Sequence, residues 1–156
     1  ELAELSVLGS GEGIPTLVSV CRAVPPAVRL VLDLKERGIA ADAVETARRH
    51  DCALLVSSFS AAALAEVESV PRAYLFDDAP GPSIEAAVDL GCTAVHPHWQ
   101  LCTEPFLATA REHGFEVNAW TVTSQSIAAA LADVDVDGLI TDAPTYYEAV
   151  SSATTG

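Results

Sequence analysis

The stretch RLVLDLKERGIAADAVETARRHDCALLVSSFS, residues 29–60, decides the fold. It opens with an apolar run typical of a buried strand and closes with a second one, CALLVS. Between them lies IAADAVETARRH, whose apolar residues recur at helical spacing. These residues are Ile39, Ala43, Val44 and Ala47. A strand, a helix and another strand in succession predict two parallel strands joined by a right-handed crossover.

The same alternation continues along the chain. An initial short helix is predicted in TLVSVCRAV, and further strands in RAYLF, TAVHP, FEVNAWTV and DGLIT. The predicted helices are SAAALAEVESV, SIEAAVDLG, TEPFLATAREHG, SQSIAAALADV and APTYYEAV, while DDAPGP is predicted to be a loop. Ser60 and Thr103 are predicted N-caps, and Gly91 and Gly114 should end their helices. The sequence therefore predicts about six strand–helix units.

Two architectures accommodate such units: an open doubly wound sheet and a barrel. No Gly-rich phosphate-binding turn follows any predicted strand, which argues against a nucleotide-binding open sheet. A complete (β/α)8 barrel has eight units. The sequence thus predicts an α/β fold, a partial TIM barrel without its first two strands. We expect one domain over residues 1–150, a disordered tail over 151–156, and unprotected sheet edges near Arg29 and Asp137.

Composition narrows the possible functions. The net charge is −14, from 22 acidic and 8 basic residues, which disfavours nucleic acid as a partner. No apolar run approaches the roughly 20 residues that a membrane helix requires. The acidic, lysine-poor surface suits a halophilic cytoplasm, although a GC-rich genome would also favour Arg and Ala. The four cysteines form no CxxC pair, which predicts free thiols in a reducing, cytoplasmic setting and disfavours zinc.

In a TIM barrel, the active-site residues lie at the carboxyl ends of the strands. Asp33 and Lys35 are two residues apart on one strand, so their side chains share a face, provided that Leu34 packs against the helices. The carboxylate could hold Mg²⁺ or Ca²⁺, and the ammonium could bind a phosphate. The alternative is a simple ion pair at a strand end.

Histidines and aromatic residues occupy other strand ends. His96 and His98 have a spacing that metal sites sometimes use, but Pro97 disfavours a metal pair. The alternative is that one histidine lines the mouth of the barrel while the other caps the following loop. Phe59 and Trp120 are each either core residues or walls of a binding site.

Taken together, six stretches resemble glycerophosphodiester phosphodiesterases in order and spacing. They are GIPTLVSV, LVLDLKERG, LLVSSFSAAALAEV, RAYLF, HGFEVNAWTVTS and VDGLITDAPT. By position, Asp33 matches a metal-binding glutamate of that family and Lys35 matches its lysine near the phosphate. Trp120 matches a tryptophan expected to line the glycerol pocket, and Phe59 would help to form the mouth.

The resemblance implies a metal-dependent enzyme that cleaves a glycerophosphodiester to glycerol 3-phosphate and an alcohol. The cofactor would be Mg²⁺ or Ca²⁺, and the partner a small-molecule substrate. The family's His-Arg-Gly start, its Glu-x-Asp pair and its acid–base histidines have no counterpart in this sequence and are expected upstream. We therefore assign no catalytic residue, and we expect the chain alone to be inactive. The alternative is a pseudoenzyme or binding module that retains the glycerophosphate pocket.

Overall fold

A single sheet of six parallel strands organises residues 13–145, the part of the chain that the computed structural model describes. The strands are β1 (Leu30–Asp33), β2 (Leu54–Ser58), β3 (Arg72–Phe76), β4 (Ala94–Pro97), β5 (Glu116–Ala119) and β6 (Gly138–Leu139). The helices are α1 (Leu17–Ala23), α2 (Ala40–Arg49), α3 (Ala61–Ala65), α4 (Pro80–Asp89), α5 (Glu104–Glu112) and α6 (Gln125–Asp133), with a short 3₁₀ helix at Trp99–Leu101.

The strands lie side by side in the order in which they occur in the chain. Each one pairs in parallel with the next, beginning with Leu30 opposite Leu54 and ending with Ala119 opposite Leu139. Such a sheet winds in one direction only, which is the arrangement of a barrel and not of an open doubly wound sheet. It forms a curled half-barrel, which confirms the predicted partial TIM barrel.

The main core lies between the outer face of the sheet and the helices. Two clusters of buried apolar residues fill it, one around α2 and β2 and the other around α5 and β5. Leu34 belongs to the first cluster, with Ala40 and Val44 of α2. Because Leu34 packs against the helices, its neighbours Asp33 and Lys35 face the inside of the half-barrel, as the spacing predicts.

The predicted helix ends are confirmed. The Ser60 hydroxyl accepts a hydrogen bond from the Ala63 amide, and Thr103 does the same for Phe106. Gly91 and Gly114 follow their helices with φ of +61° and +74°, a conformation that glycine adopts without strain.

Four predicted boundaries were wrong, one of them in β5, which has four residues where FEVNAWTV suggested eight. The expected loop DDAPGP contributes its last three residues to α4, which begins at Pro80 because a helix tolerates proline in its first turn. Helix α3 ends at Ala65 and has only five residues, fewer than SAAALAEVESV suggested. Strand β6 has two residues where DGLIT suggested five.

The structure also bears on the cysteines and on membrane-spanning helices. All four cysteines are free, Cys21 and Cys102 being buried and the other two half-buried. Within residues 13–145 there is no helix with the length and apolar character needed to cross a membrane. The predicted tail, and all but the start of the predicted last helix, lie outside the described residues.

The outer strands of the sheet, β1 and β6, each pair with only one neighbour among the described strands. Apolar side chains on their inner face are partly uncovered, Val31 being 44% exposed and Ile140 36% exposed. Unpaired backbone groups beside exposed apolar residues favour pairing with another chain.

We expect this 156-residue chain, purified alone, to form dimers or larger species in light scattering coupled to gel filtration. A charge near the edge opposes such pairing, so Val31→Lys should raise the monomer fraction. Val88→Lys is the matched control, because Val88 on α4 is equally exposed, at 45%, but lies away from both edges. A wild-type chain that is monodisperse and melts cooperatively as a monomer would refute this expectation.

Candidate active site

The inner face of the half-barrel carries a cavity of about 610 Å³ at the carboxyl ends of the strands. All four residues proposed from the sequence, Asp33, Lys35, Phe59 and Trp120, line it. The remaining lining residues are Val31, Ser57, Leu75, His96, Thr121, Leu139, Ile140 and Thr141. The cavity therefore combines charged, aromatic and aliphatic side chains from all six strands or the turns that follow them.

Asp33 and Lys35 form an ion pair at the end of β1. Lys35 Nζ lies 2.5 Å from Asp33 Oδ2, and the lysine side chain is 74% exposed. The other carboxylate oxygen, Oδ1, is buried and has no hydrogen-bond partner among the described residues. The ion pair expected as the simpler alternative is therefore present, and it leaves Oδ1 unpaired and the ammonium open to solvent.

Ser58 fixes the end of β1 against β2. Its buried hydroxyl donates to the Leu34 carbonyl at 2.6 Å and accepts from the Ser60 amide at 3.0 Å. This bridge holds the turn after β2 beside the turn after β1. As a result, Lys35 Nζ lies 5.8 Å from the centre of the Phe59 ring, within the range of a cation–π interaction.

The aromatic rings of Phe59 and Trp120 form a wall of the cavity. Trp120 packs edge-on against Phe59 and His98, with ring centres 5.3 and 5.4 Å apart. The Trp120 indole N–H donates to the His96 carbonyl at 2.7 Å, and a cis peptide bond joins Trp120 to Thr121. The hydrogen bond fixes the indole plane, so Trp120 is a wall of the cavity and not a plain core residue.

The two histidines near the end of β4 have separate environments. His98 Nδ1 accepts from the Gln100 amide at 3.4 Å at the start of the 3₁₀ helix. The His96 side chain, which is 1% exposed, lies inside the half-barrel. One histidine thus lines the cavity while the other caps the following turn, which is the alternative that the sequence favoured over a metal pair.

A chain of polar side chains crosses the half-barrel below the cavity. Arg29 is paired with Glu116 at 2.5 Å, and the Asn118 side-chain amide donates to the same carboxylate oxygen at 2.9 Å. That amide nitrogen also lies 3.3 Å from His96 Nε2. The position of the Asn118 side chain requires a glycine at 138, because an added Cβ there would overlap Asn118 Oδ1.

Sequence reasoning missed this chain of contacts, which we call the inner network (Arg29, Glu116, Asn118 and His96). A signal was present: Glu116 and Asn118 alternate with buried Val117 and Ala119 along β5. Alternation of that kind marks a strand with one apolar and one polar face. It could not show that Arg29, 87 residues away, completes the pair.

Burial dominates the electrostatics of the inner network. It lowers the pKa of His96 from 6.5 to about 4, against the opposing influence of Glu116 and Asp33, while Arg29 lowers it further. Burial would raise the pKa of Glu116, but hydrogen bonds from Arg29 and Asn118 outweigh it and lower the value. At neutral pH the network thus holds a neutral imidazole beside an ionised carboxylate.

The described residues alone do not complete a cation site. No group of three or more His, Cys, Asp or Glu residues among them could hold a metal ion. Asp33 Oδ1 has the right chemistry for a hard cation, because it is an anionic oxygen with no hydrogen-bond partner in the described part of the chain. It supplies one ligand, whereas Mg²⁺ and Ca²⁺ take about six or more.

The strand order and the position of the cavity define a βα-barrel protein with a cavity at the carboxyl ends of its strands. The sequence profile of the glycerophosphoryl diester phosphodiesterase family matches residues 22–146, and the chain belongs to that family. The resemblance noted in the sequence is thereby confirmed.

Several relatives are similar to this chain. A probable glycerophosphodiester phosphodiesterase 2 from Mycobacterium tuberculosis is 28% identical over 86% of the chain and 59% of the relative. A phosphodiesterase from Oleispira antarctica, solved in complex with the product sn-glycerol-3-phosphate, is 27% identical, with a TM-score of 0.78, over 94% of this chain and 63% of that one. A putative family member from Silicibacter pomeroyi has a TM-score of 0.83 at 23% identity, over 93% of this chain and 58% of that one. The chain thus spans about three fifths of the length of these relatives.

The depressed pKa of His96 makes stability depend on pH. Between about pH 4 and 6.5 the unfolded chain binds a proton at this residue and the folded chain does not, so the free energy of unfolding falls as the pH falls. We expect a loss of about 2 kcal/mol from this group between pH 7.5 and 5.0, measured by chemical denaturation at both values.

The variant His96→Gln should lose this contribution, so that its stability changes less between the two pH values. His113→Gln, at the exposed end of α5, should keep the wild-type dependence. Equal pH dependence in wild type and His96→Gln would contradict the assignment.

Proposed function

We propose that the protein hydrolyses glycerophosphodiesters to glycerol 3-phosphate and an alcohol, with the cavity as its substrate site. The observation that carries this proposal is the placement of Lys35, Asp33, Phe59 and Trp120 around one cavity at the carboxyl ends of the strands. Membership of the family supports it, and so does the glycerol 3-phosphate bound to the Oleispira antarctica relative.

Each residue has a distinct role in this proposal. The exposed Lys35 ammonium binds the phosphate as a point charge, and Asp33 holds it in place through the ion pair. Trp120 forms the floor under the glycerol carbons, since its indole is fixed by the His96 carbonyl. Phe59, 44% exposed, forms the mouth of the cavity.

A divalent cation, Mg²⁺ or Ca²⁺, would complete the site. When bound, such an ion stabilises the charge that develops on the phosphoryl oxygens. Asp33 is the residue of this sequence that we assign to it. Because aspartate is one methylene shorter than the glutamate usual in the family, by about 1.5 Å, direct contact with the ion would require a backbone shift or a bridging water. We assign no acid–base role to any residue of the cavity.

The cellular setting follows from composition. Four free thiols support a reducing compartment, and we place the protein in the cytoplasm. The net charge of −14 supports a halophilic source.

A second candidate function is binding without catalysis. It is favoured by the shortened carboxylate at position 33 and by the incomplete set of metal ligands in residues 13–145. In that case the cavity would bind glycerol 3-phosphate or its esters, and no diester would be cleaved.

The test is hydrolysis of a glycerophosphodiester by the natural protein at its full length, measured as release of glycerol 3-phosphate. Lys35→Gln should lower kcat/KM by about 10- to 100-fold, since a charge-assisted hydrogen bond is worth about 1.5–3 kcal/mol. Arg48→Gln removes a positive charge from α2 outside the cavity and should stay within about twofold of wild type.

The outcomes separate the two functions. Release that stops on chelation and returns with Mg²⁺ or Ca²⁺ supports the hydrolase. Binding of glycerol 3-phosphate without release under any cation supports the binding module. Equal losses in Lys35→Gln and Arg48→Gln would remove Lys35 from the site.

A further inference from the structure

Two buried polar side-chain atoms have no hydrogen-bond partner within residues 13–145: Asp33 Oδ1 and His96 Nδ1. They belong to different strands, β1 and β4, yet both residues line the same cavity. An unpaired buried polar group costs about 1–3 kcal/mol, so two of them at one cavity point to a ligand that pairs with both.

The inner network determines which of the two His96 nitrogens carries the proton. The Asn118 amide nitrogen donates to Glu116, whose carboxylate can only accept, and this fixes the orientation of the amide. The same nitrogen has a second hydrogen and lies 3.3 Å from His96 Nε2, so this hydrogen is available to that nitrogen. Nε2 must therefore accept, and in a neutral imidazole the proton then sits on Nδ1. His96 Nδ1 is an unpaired donor, and Asp33 Oδ1 is an unpaired acceptor.

A group that satisfies both atoms must accept one hydrogen bond and donate another. A phosphate oxygen could accept from His96 but could not donate to Asp33, and an ammonium group has the opposite limitation. A hydroxyl group does both with one oxygen atom.

We propose that Asp33 and His96 together bind one hydroxyl group of the glycerol part of the ligand, with His96 Nδ1–H donating and Asp33 Oδ1 accepting. The inference rests on the proposed function, because it takes the ligand to be a glycerol phosphate. Arg29, Glu116 and Asn118 act as positioning residues that hold His96 in the required tautomer.

The test compares three phosphate monoesters by calorimetric titration of the full-length natural protein, with the cation that supports turnover present throughout. The probes are glycerol 3-phosphate, 3-hydroxypropyl phosphate and 2-hydroxypropyl phosphate, of which the last two each lack one hydroxyl. One of the two analogues should bind at least about tenfold more weakly than glycerol 3-phosphate, because it leaves both buried atoms unpaired.

Variants at position 96 connect that preference to the imidazole. His96→Ala should bind all three probes within about threefold of one another. His96→Asn places an amide donor near the position of Nδ1 and should restore part of the preference. His113→Gln is the matched control and should discriminate as wild type does, while thermal melting of each variant reports whether it folds.

Nitrogen-15 NMR of the histidine rings tests the tautomer in the wild-type protein and needs no variant. The expected spectrum has His96 protonated at Nδ1 and shifts when glycerol 3-phosphate is added. A proton on Nε2 would overturn the proposal, as would equal binding of the three probes to wild type. If no probe binds and no diester is cleaved, the proposed function fails as well, and that result differs from binding that ignores the hydroxyls.

Discussion

Parallel pairing in chain order is the constraint on which the rest of the structure depends. Because every strand pairs with its successor in the same direction, all six carboxyl ends meet at one edge. Lys35, Phe59 and Trp120 are far apart in the sequence, yet they line one cavity because each follows the end of a strand. The helices cover only the outer face, so the inner face is free to carry polar residues.

That freedom explains the inner network. A complete small barrel fills its interior with side chains, whereas this half-barrel has charged and amide groups crossing from β5 to the start of β1. The Arg29–Glu116 pair is half-exposed and by itself contributes little stability. Its importance lies in the orientation of its neighbours. Arg29 holds the Glu116 carboxylate, and this carboxylate fixes the orientation of the Asn118 amide. The Asn118 amide then determines which nitrogen of His96 carries the proton. Glutamine at position 116 could donate as well as accept, so it would no longer fix the orientation of the Asn118 amide. His96 would then no longer be held in one tautomer.

Local patterns predicted the elements of the fold and two of the site residues in their correct orientation. The spacing of Asp33 and Lys35 around Leu34 placed both side chains inside the half-barrel, since alternation along a strand is a purely local property. The sequence placed one of the two histidines at the mouth but could not show which one, or that His96 Nδ1 is unpaired, because the partners of His96 lie on β5. The strand DGLIT was overpredicted: among the described strands β6 pairs only with β5, and Ile140 and Thr141, which follow it, line the cavity.

The aspartate at position 33 links the electrostatics of the site to its geometry. A glutamate would carry its carboxylate about one carbon–carbon bond farther into the cavity. Aspartate instead keeps Oδ2 on Lys35 and leaves Oδ1 buried near the end of its own strand. A short, fixed carboxylate opposite a neutral imidazole donor is complementary to a single oxygen atom that both donates and accepts. The aspartate therefore keeps the positive charge of Lys35 in place through Oδ2 and leaves Oδ1 for a ligand of the cavity.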